Sequence, residues 1–416
     1  MKTMKKILAI LLSAVLCLAA LPALAESSET PVTLNFWHHY SAQSAENETL
    51  MNVLIPKFES ENPGIKVNAV SHEWAELHDK ILVSTSTKML PDVARCDIAW
   101  LPEFQQMGVL VALDEEMADF NEVAAKLLDS ALSTANIGGK TYALPLNTNS
   151  KILFYNVAML EAAGVKVPTT TEEWVAAVRA LSGTNANGQQ VWGWNEPALS
   201  GWNICPFIWT FGGSLTNEDQ TVATGYVNSE ATVKAVETFA QLVKENALTG
   251  FNSGDIPMTD GFGTGRYAMM LEGPWKTAEL EGAYPDVAYG TAPMPAGAGG
   301  SVSVLGGEDI AMFTNANKDA AWKFIQFMTG EFAQTEMAKC GQIPVNKAAL
   351  ESDTVKNASY APFIEAIQTA KARPTVAAWT EMDNELAMAM TAVVNGEKTA
   401  QEAMDDLAVK FDALLK

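Results

Sequence analysis

Tryptophan is the residue type in this sequence with the clearest chemical grouping. Trp192, Trp194, Trp202 and Trp209 lie within 18 residues, in a segment that contains Gly, Asn and Pro and lacks helical periodicity. Flat indole rings pack against the apolar C–H faces of a sugar, whose hydroxyl rim needs donors and acceptors in fixed positions. Because large aromatic side chains also fill hydrophobic cores, the segment predicts either a carbohydrate platform or a core.

The four histidines form a second grouping that bears on metal chemistry. His38, His39, His72 and His78 fall in one 41-residue span, and imidazole is a common zinc ligand. They lie on a predicted loop and a separate helix without the spacing of a zinc site. We therefore expect no metal and no other cofactor, while metal binding stays open as an alternative.

The amino terminus has the composition of a secretory signal peptide. Lysines precede an apolar run over residues 7–20, and a small-residue cleavage site ends at Ala25. Lipid attachment at Cys17 is the alternative, but Leu16 stands where a lipoprotein signal has a small residue. We expect residues 1–25 to be removed, which predicts secretion across the cytoplasmic membrane and a periplasmic or cell-surface location without a lipid anchor.

Length and charge restrict the possible functions further. The 391 residues after the signal exceed what one hydrophobic core usually organises, which predicts two domains. Removal of three signal lysines takes the formal net charge from −22 to −25, so we expect neither nucleic acid nor an anionic membrane as a partner. Cys96, Cys205 and Cys340 are few and far apart, and at most one disulfide is expected.

Periodicity predicts an alternation of strands and helices near the amino terminus. Apolar and polar residues alternate at 32–37 and 65–70, which predicts strands, and helical spacing runs between them from Leu50 to Phe58. A further helix follows at 74–82 and a short strand at 91–95. Such alternation predicts an α/β fold with parallel sheets covered by helices and ligands at the carboxyl ends of the strands.

Two later segments carry local structural signals. Thr170 and Glu173 have the spacing of a capping box, which predicts a helix that begins just after Thr170. Residues 292–300 are rich in Gly and Pro, which predicts a flexible surface crossing between the domains.

Several short motifs in a fixed order give the chain a family resemblance. It resembles the extracellular solute-binding proteins of ATP-driven (ABC) importers, specifically sugar-binding family 1, which includes the maltose-binding proteins. The motifs that carry the resemblance are Leu34-Asn-Phe-Trp37, Phe58-Glu-Ser-Glu-Asn-Pro-Gly64, Pro91-Asp92-Val93, Leu153-Phe-Tyr-Asn156, Gly265-Arg-Tyr-Ala-Met-Met, Gly273-Pro-Trp275 and Gly306-Gly307.

The resemblance implies a two-lobed periplasmic-binding-protein fold of the type II kind. Each lobe is a sheet flanked by helices, with a cleft between the lobes. On this basis residues 26–147 and 305–335 form lobe one, and residues 148–304 and 336–416 form lobe two. A monomer would capture a mono- or oligosaccharide, close about a hinge and deliver the sugar to a membrane permease without any reaction.

The resemblance also implies where the ligand contacts lie. From lobe one, His39 and Tyr40 follow the first strand, and Trp74 is a further candidate, although its apolar helical face also suits the core. Asp97 stands where many relatives have an acidic side chain that faces the cleft, and its carboxylate could accept from two sugar hydroxyls. Asn147, Asn149, Gly307 and Glu308 mark the two crossings between lobes, and the amide of Asn149 replaces an acidic residue of the maltose-binding branch. From lobe two we expect Trp194, Trp202, Trp275, Arg373 and Trp379, with Trp275 as the strongest candidate.

Two other classes of protein remain as alternatives at this stage. A secreted glycoside hydrolase would also use aromatic platforms and paired carboxylates, although the sequence offers no specific catalytic constellation beyond abundant Asp and Glu. A metal-binding importer component would use the four histidines. The sequence favours a binding protein over both, with the hydrolase as the first alternative and the metal-binding component as the second.

Overall fold

The computed structural model describes residues 31–356 and 360–416, so the predicted signal peptide and Cys17 lie outside the described residues. Fourteen strands are numbered in chain order within this part. They are β1 Val32–His38, β2 Ile65–Ser71, β3 Val93–Asp97, β4 Asn136–Ile137, β5 Lys140–Thr141, β6 Ala143–Ser150, β7 Ile152–Asn156, β8 Gly183–Thr184, β9 Gln190–Asn195, β10 Leu248–Thr249, β11 Tyr267–Glu272, β12 Tyr289–Ala292, β13 Val304–Met312 and β14 Lys371–Ala372.

The α-helices of the described residues are numbered in the same way. They are α1 Ala45–Thr49, α2 Ile55–Glu61, α3 Trp74–Thr87, α4 Leu101–Gln106, α5 Leu113–Glu116, α6 Phe120–Ala124, α7 Asp129–Leu132, α8 Val157–Ala163, α9 Thr171–Ala180, α10 Gly201–Thr210, α11 Glu230–Lys244, α12 Met258–Gly263, α13 Trp275–Ala283, α14 Lys318–Met328, α15 Glu331–Ala338, α16 Lys347–Leu350, α17 Ala361–Ile367, α18 Trp379–Val394 and α19 Ala400–Leu414. A π-helical turn, Leu50–Leu54, joins α1 to α2, and a 3₁₀ turn, Ser133–Ala135, follows α7.

The first lobe is built around a six-stranded sheet in the order β14-β13-β3-β1-β2, with β6 paired to β13. Strand β1 is parallel to β2 and β3, as predicted, whereas β13 is antiparallel to β3 and β6. The sheet is therefore mixed, and the prediction of a parallel sheet is wrong. Alternate residues of β1, including Leu34 and Phe36, are fully buried, which follows from the period of two in a strand with one buried face.

The second lobe is built around another six-stranded sheet, in the order β10-β9-β11-β7-β12, with β8 paired to β9. Strands β10 and β11 are parallel to β9, while β7 is antiparallel to β11 and β12. Helix α9 begins with the predicted capping box, in which the Thr170 side chain accepts from the Glu173 backbone N–H and Glu173 reaches back to Thr170. The helices of this lobe cover a second hydrophobic core, which is separate from that of the first lobe.

Long strands connect the two lobes. Strand β6 leads directly into β7 through Lys151, and β13 begins at Val304 in the core of the second lobe and ends at Met312 in the core of the first. The pairing of β13 with β6 shifts register between Glu308 and Asp309. A bulge of this kind redirects side chains, and here it separates the half-buried Glu308 from the fully buried Asp309.

Contrary to the prediction, the Gly-rich segment 292–300 does not cross between the lobes. Its backbone is bound to the second lobe, because Ala296 N–H donates to the Thr169 carbonyl at 2.9 Å and Gly299 N–H donates to the Thr210 carbonyl at 3.0 Å. The core of the first lobe includes residues after 335, because Met337 and Val345 belong to the same hydrophobic cluster as Leu34. The division of the chain at 147, 304 and 335 stays a prediction.

Two further expectations concern the cysteines and the membrane. Cys96, Cys205 and Cys340 are buried and free, so none of the three forms a disulfide in the described structure. Among residues 31–356 and 360–416, no helix combines the length and the apolar composition needed to cross a membrane.

Candidate functional site

Two tryptophans of the second lobe lie against each other where the lobes meet. Trp202 is in the first turn of α10 and Trp275 begins α13, and their rings stack with centroids 6.2 Å apart and planes 29° apart. Both side chains are half-buried. A Cβ at Gly306 would lie 2.6 Å from the Trp202 ring, so the glycine lets this ring rest on the crossing strand β13.

Cationic groups surround the Trp202 ring. The Arg373 guanidinium carbon lies 5.5 Å from the ring centroid and Lys151 Nζ lies 5.9 Å from it, both within the range of cation–π attraction. Lys151 is paired with Glu196 at 2.7 Å, and both side chains are fully buried. Burial raises the pKa of Glu196 to about 7 although Lys151 acts in the opposite direction. The Asn203 amide donates to the same carboxylate.

Trp74 and Trp100 of the first lobe form another aromatic pair, with ring centroids 5.0 Å apart. Trp100 is buried, whereas Trp74 at the start of α3 is 43% exposed and has indole surface available to a ligand. The Trp74 Nε1–H group donates to Asp97 Oδ2 at 3.3 Å, which orients the exposed ring.

Both carboxylate oxygens of Asp97 are occupied by groups of the chain itself. Oδ1 accepts from Arg373 Nη2 at 2.7 Å and from the Ala99 N–H at 2.9 Å, and Oδ2 accepts from Trp74. Burial disfavours the charge on Arg373, but the neighbouring Asp97 more than compensates, so the Arg373 pKa is raised. The predicted role of Asp97 as an acceptor for two sugar hydroxyls conflicts with this arrangement.

Arg95 organises the predicted residues around the end of β1. Its Nη2 lies 2.7 Å from Glu308 Oε2, its Nη1 lies 2.8 Å from the His39 ring, and its guanidinium carbon is 4.3 Å from the centroid of Tyr40. Burial raises the Tyr40 pKa to about 12 and lowers the pKa of His39 well below its usual value. Burial also raises the pKa of Glu308, against the attraction of Arg95.

The predicted residues at the crossings lie on the paired strands β6 and β13. Asn147 Oδ1 accepts from the Glu308 N–H at 2.8 Å, and its amide donates to Gln342. Gly307 faces Thr148 in the same ladder. Within the described residues, the buried Asn149 Oδ1 has no hydrogen-bond partner, and it lies beside the Trp202 ring at Gly306. An unpaired buried carbonyl next to an indole is suited to accept from a ligand hydroxyl.

The structure contradicts two of the predicted tryptophan contacts. Trp194 is fully buried on β9, with its ring 4.5 Å from that of Trp174, and Trp379 is 2% exposed and packs on Gly201. Neither ring has a free face, because both belong to the hydrophobic core of the second lobe. The periodicity of β9 and α18 was not sufficient to distinguish an inward from an outward indole.

The other members of the tryptophan-rich segment also lie away from the pair. The segment is strand β9 followed by helix α10, not an irregular region as its composition suggests. Trp209 is 5% exposed in the core, and Trp192 donates to Asn246 Oδ1 at 3.0 Å on the far part of β9. Of the four, Trp202 alone is stacked on Trp275.

The four histidines do not converge. His38 lies between Phe36 and Tyr40, and His78 Nε2 lies 2.9 Å from Glu103. Within the described residues, no group of three His, Cys, Asp or Glu side chains is placed to hold a metal ion.

Several residues at the junction were missed by sequence reasoning. Arg95, Trp100 and Lys151 contact the predicted residues, and Glu196 is paired with Lys151, although none of the four was a candidate. Two of them had a detectable signal: Lys151 follows Asn149-Ser150 at the crossing, and Trp100 follows Asp97 by three residues. For Glu196 nothing in the sequence distinguishes it from other acidic residues.

A large groove lies elsewhere on the second lobe. It has a volume of about 1160 Å³, lies between α9 and α11, and contains neither Trp202 nor Trp275. Its lining mixes short apolar side chains with both signs of charge. We favour the tryptophan pair as the candidate site, because there buried polar groups converge on two half-buried indole rings.

Comparison with known proteins agrees with this architecture. The family model of the bacterial extracellular solute-binding proteins matches residues 54–362. A protein of Brucella abortus named as a binding protein is 27% identical over 96% of this chain and 97% of its own length. The diacetylchitobiose binding protein DasA of Streptomyces coelicolor is 22% identical over 81% of this chain and 80% of its own length.

A solved structure gives the same result at the level of the fold. The GacH receptor of Streptomyces glaucescens, solved unliganded and with acarbose, superposes with a TM-score of 0.81 and 26% identity, covering 93% of this chain and 99% of GacH. This confirms the predicted two-lobed α/β fold. The chain belongs to the family of bacterial extracellular solute-binding proteins.

Proposed function

We propose that this protein captures a mono- or oligosaccharide outside the cytoplasmic membrane and delivers it to the permease of an ABC transporter. The observation that carries the proposal is the stacked pair of Trp202 and Trp275 at the junction of the lobes. Two half-buried indole rings offer the flat apolar surface that a sugar ring requires. DasA and the GacH complex, whose names concern diacetylchitobiose and acarbose, support this class of ligand.

In this proposal each lobe supplies a different part of the site. The second lobe contributes Trp202 and Trp275, with the unpaired carbonyl of Asn149 beside them, and the first lobe contributes the exposed face of Trp74. Because the contacts come from both lobes, they exist together only when the lobes approach each other. Sugar binding would then shift the population toward a closed form, which the permease recognises.

The arrangement of the carboxylates supports binding rather than hydrolysis. A glycoside hydrolase needs one protonated and one free carboxyl group on opposite sides of the bond. Here Asp97 and Glu308 are ion-paired with Arg373 and Arg95, and Glu196 is enclosed with Lys151. We therefore propose a protein without turnover.

A thermal-shift screen tests the proposal. A ligand that binds only the folded state raises the melting temperature by mass action, so at least one sugar of a panel of mono- and oligosaccharides should do so. Amino acids and short peptides at the same concentration serve as the control set. Chromatography of the active sugar after prolonged incubation should return it unchanged, and the appearance of shorter products would favour the hydrolase.

The mature amino terminus is tested separately. We propose release after cleavage at Ala25, not anchoring at Cys17. Mass spectrometry of the protein purified from its native host should then give a chain that starts at Glu26, and a lipid-modified Cys17 would contradict this.

A further inference from the structure

One ion pair connects the two lobes beside the candidate site. Asp97 is the last residue of strand β3, and the residue before it, Cys96, lies in the core of the first lobe. Arg373 follows β14, which pairs with β13 at its second-lobe end, Val304–Leu305. Helices α17 and α18 on either side of Arg373 pack in cores of the second lobe. The 2.7 Å contact between Asp97 and Arg373 therefore joins the lobes through side chains that are 10% and 4% exposed.

The pair is held in place on both sides. Asp97 is fixed by the Ala99 N–H and by the Trp74 indole, and the Arg373 guanidinium lies over the Trp202 ring. One continuous line of contacts thus runs from Trp74 through Asp97 and Arg373 to Trp202. The aromatic platforms of the two lobes are linked by this line of contacts.

A second set of contacts crosses between the lobes nearby. Thr380 Oγ1 in the first turn of α18 donates to Glu103 Oε2 on α4 at 2.9 Å, and His78 Nε2 contacts the same carboxylate oxygen at 2.9 Å. The Ala99 side chain packs in the hydrophobic cluster of the second lobe. Polar and apolar contacts therefore act together at this part of the junction.

We propose that Asp97 and Arg373 are positioning residues that lock the two lobes in register and thereby set the separation of Trp74 from Trp202. The pair is made by the chain itself, so it favours the closed arrangement already before a sugar binds, and the sugar completes the shift. Breaking one side of a buried ion pair leaves an uncompensated charge, which favours separation of the lobes so that water can solvate it. The sugar then has to close lobes that stand apart, and its affinity falls.

The distance between the lobes can be measured directly with spin labels. Val83→Cys on α3 and Val409→Cys on α19 place labels on the first and second lobes, at positions that are 66% and 70% exposed. The native Cys96, Cys205 and Cys340 are buried, and labelling of the protein without added cysteines checks that they stay unmodified. Double electron–electron resonance on the labelled protein, with no sugar added, then gives the distribution of lobe separations.

The parent protein without sugar should already populate the distance that matches the structure. Arg373→Gln and Asp97→Asn should each add a longer population of at least about a third of the molecules, and Arg373→Lys should restore most of the parent distribution. Lys57→Gln, which breaks an exposed pair with Glu61 within one helix, is the matched control and should leave the distribution unchanged. Distributions for Arg373→Gln and Asp97→Asn that equal this control would overturn the proposal.

A second variant covers the case in which the charge variants fail to fold. Thr380→Val removes the hydroxyl contacts to Glu103 and His78 without changing a charge, and it should still broaden the distribution toward longer distances. If the charge variants do not fold and Thr380→Val matches the control, the proposal is wrong. Because none of these measurements contains a sugar, their outcome is independent of the proposed carbohydrate ligand.

Discussion

The indole rings of Trp202 and Trp275 stack with centroids 6.2 Å apart, although one ring belongs to α10 and the other to α13. Each tryptophan lies in the first turn of its helix, and the two helices begin at the junction between the lobes. This single contact brings together the two indoles that the sequence could only propose separately.

Replacing Trp275 should weaken sugar binding without unfolding the protein. Trp275→Ala removes stacking worth about 0.5–1.5 kcal/mol together with the apolar area that the sugar buries on the ring, and the sum predicts a loss of affinity of about tenfold or more by calorimetry. Trp275→Phe keeps a flat ring and should lose less. An unchanged dissociation constant for Trp275→Ala would remove this residue from the site.

Replacing Trp194 should lower the stability of the protein without changing its affinity for the sugar. Its ring is fully buried among Trp174, Phe207 and Phe239, so Trp194→Ala should lower the free energy of unfolding in urea by about 3–5 kcal/mol. The variant that remains folded should bind the sugar with the parent affinity. Loss of binding with parent stability would return Trp194 to the list of ligand contacts.

The buried pair of Lys151 and Glu196 should show strong coupling. Glu196→Gln leaves a fully buried ammonium without its countercharge, which should cost about 3–5 kcal/mol of unfolding free energy. Lys151→Met combined with Glu196→Gln removes both charges and should be less destabilised than Glu196→Gln alone. Additive effects in the double-mutant cycle would mean that the two groups do not interact.

Asp309 should make stability depend on pH. Burial raises its pKa well above the usual value, and its contact in the described structure is Thr134 Oγ1 at 3.2 Å. The contribution of such a carboxyl group to the stability of the folded state is complete below its unfolded-state pKa of about 3.9. This contribution is lost progressively as the pH rises through the folded-state pKa.

Asp309→Asn should therefore be more stable than the parent at pH 7, and the difference should shrink toward pH 4. Urea unfolding across this range measures it, and Asp79→Asn at an exposed position is the control with no such trend. A variant less stable than the parent at every pH would show that the carboxylate is needed in its charged form.

Sequence periodicity predicted the elements that have one regular buried face. Strands β1 and β2 and the capping box of α9 were found within a residue or two of the structure, because alternation and capping are local properties. The order β14-β13-β3-β1-β2 could not be predicted in this way, because β13 comes more than 200 residues after its partner β3 and runs antiparallel to it.

The candidate site, too, could be predicted from the sequence only in part. The indole-rich segment suggested Trp194 and Trp202, and the family resemblance suggested Trp275 and Trp379. Of these four, Trp202 and Trp275 lie together at the junction and the other two are in the core, since the facing of a side chain depends on tertiary packing. The partners of the charged residues could not be predicted from the sequence, for a different reason. Arg373 and Asp97 are 276 positions apart, and no local pattern indicates that they meet.

The most direct test of the account is a crystal structure of the protein with the sugar that raises its melting temperature most. We expect electron density for a sugar ring against the face of Trp275 or Trp202, with a hydroxyl within hydrogen-bond distance of Asn149 Oδ1. Density only in the groove between α9 and α11, or at any place remote from these two indoles, would contradict the account.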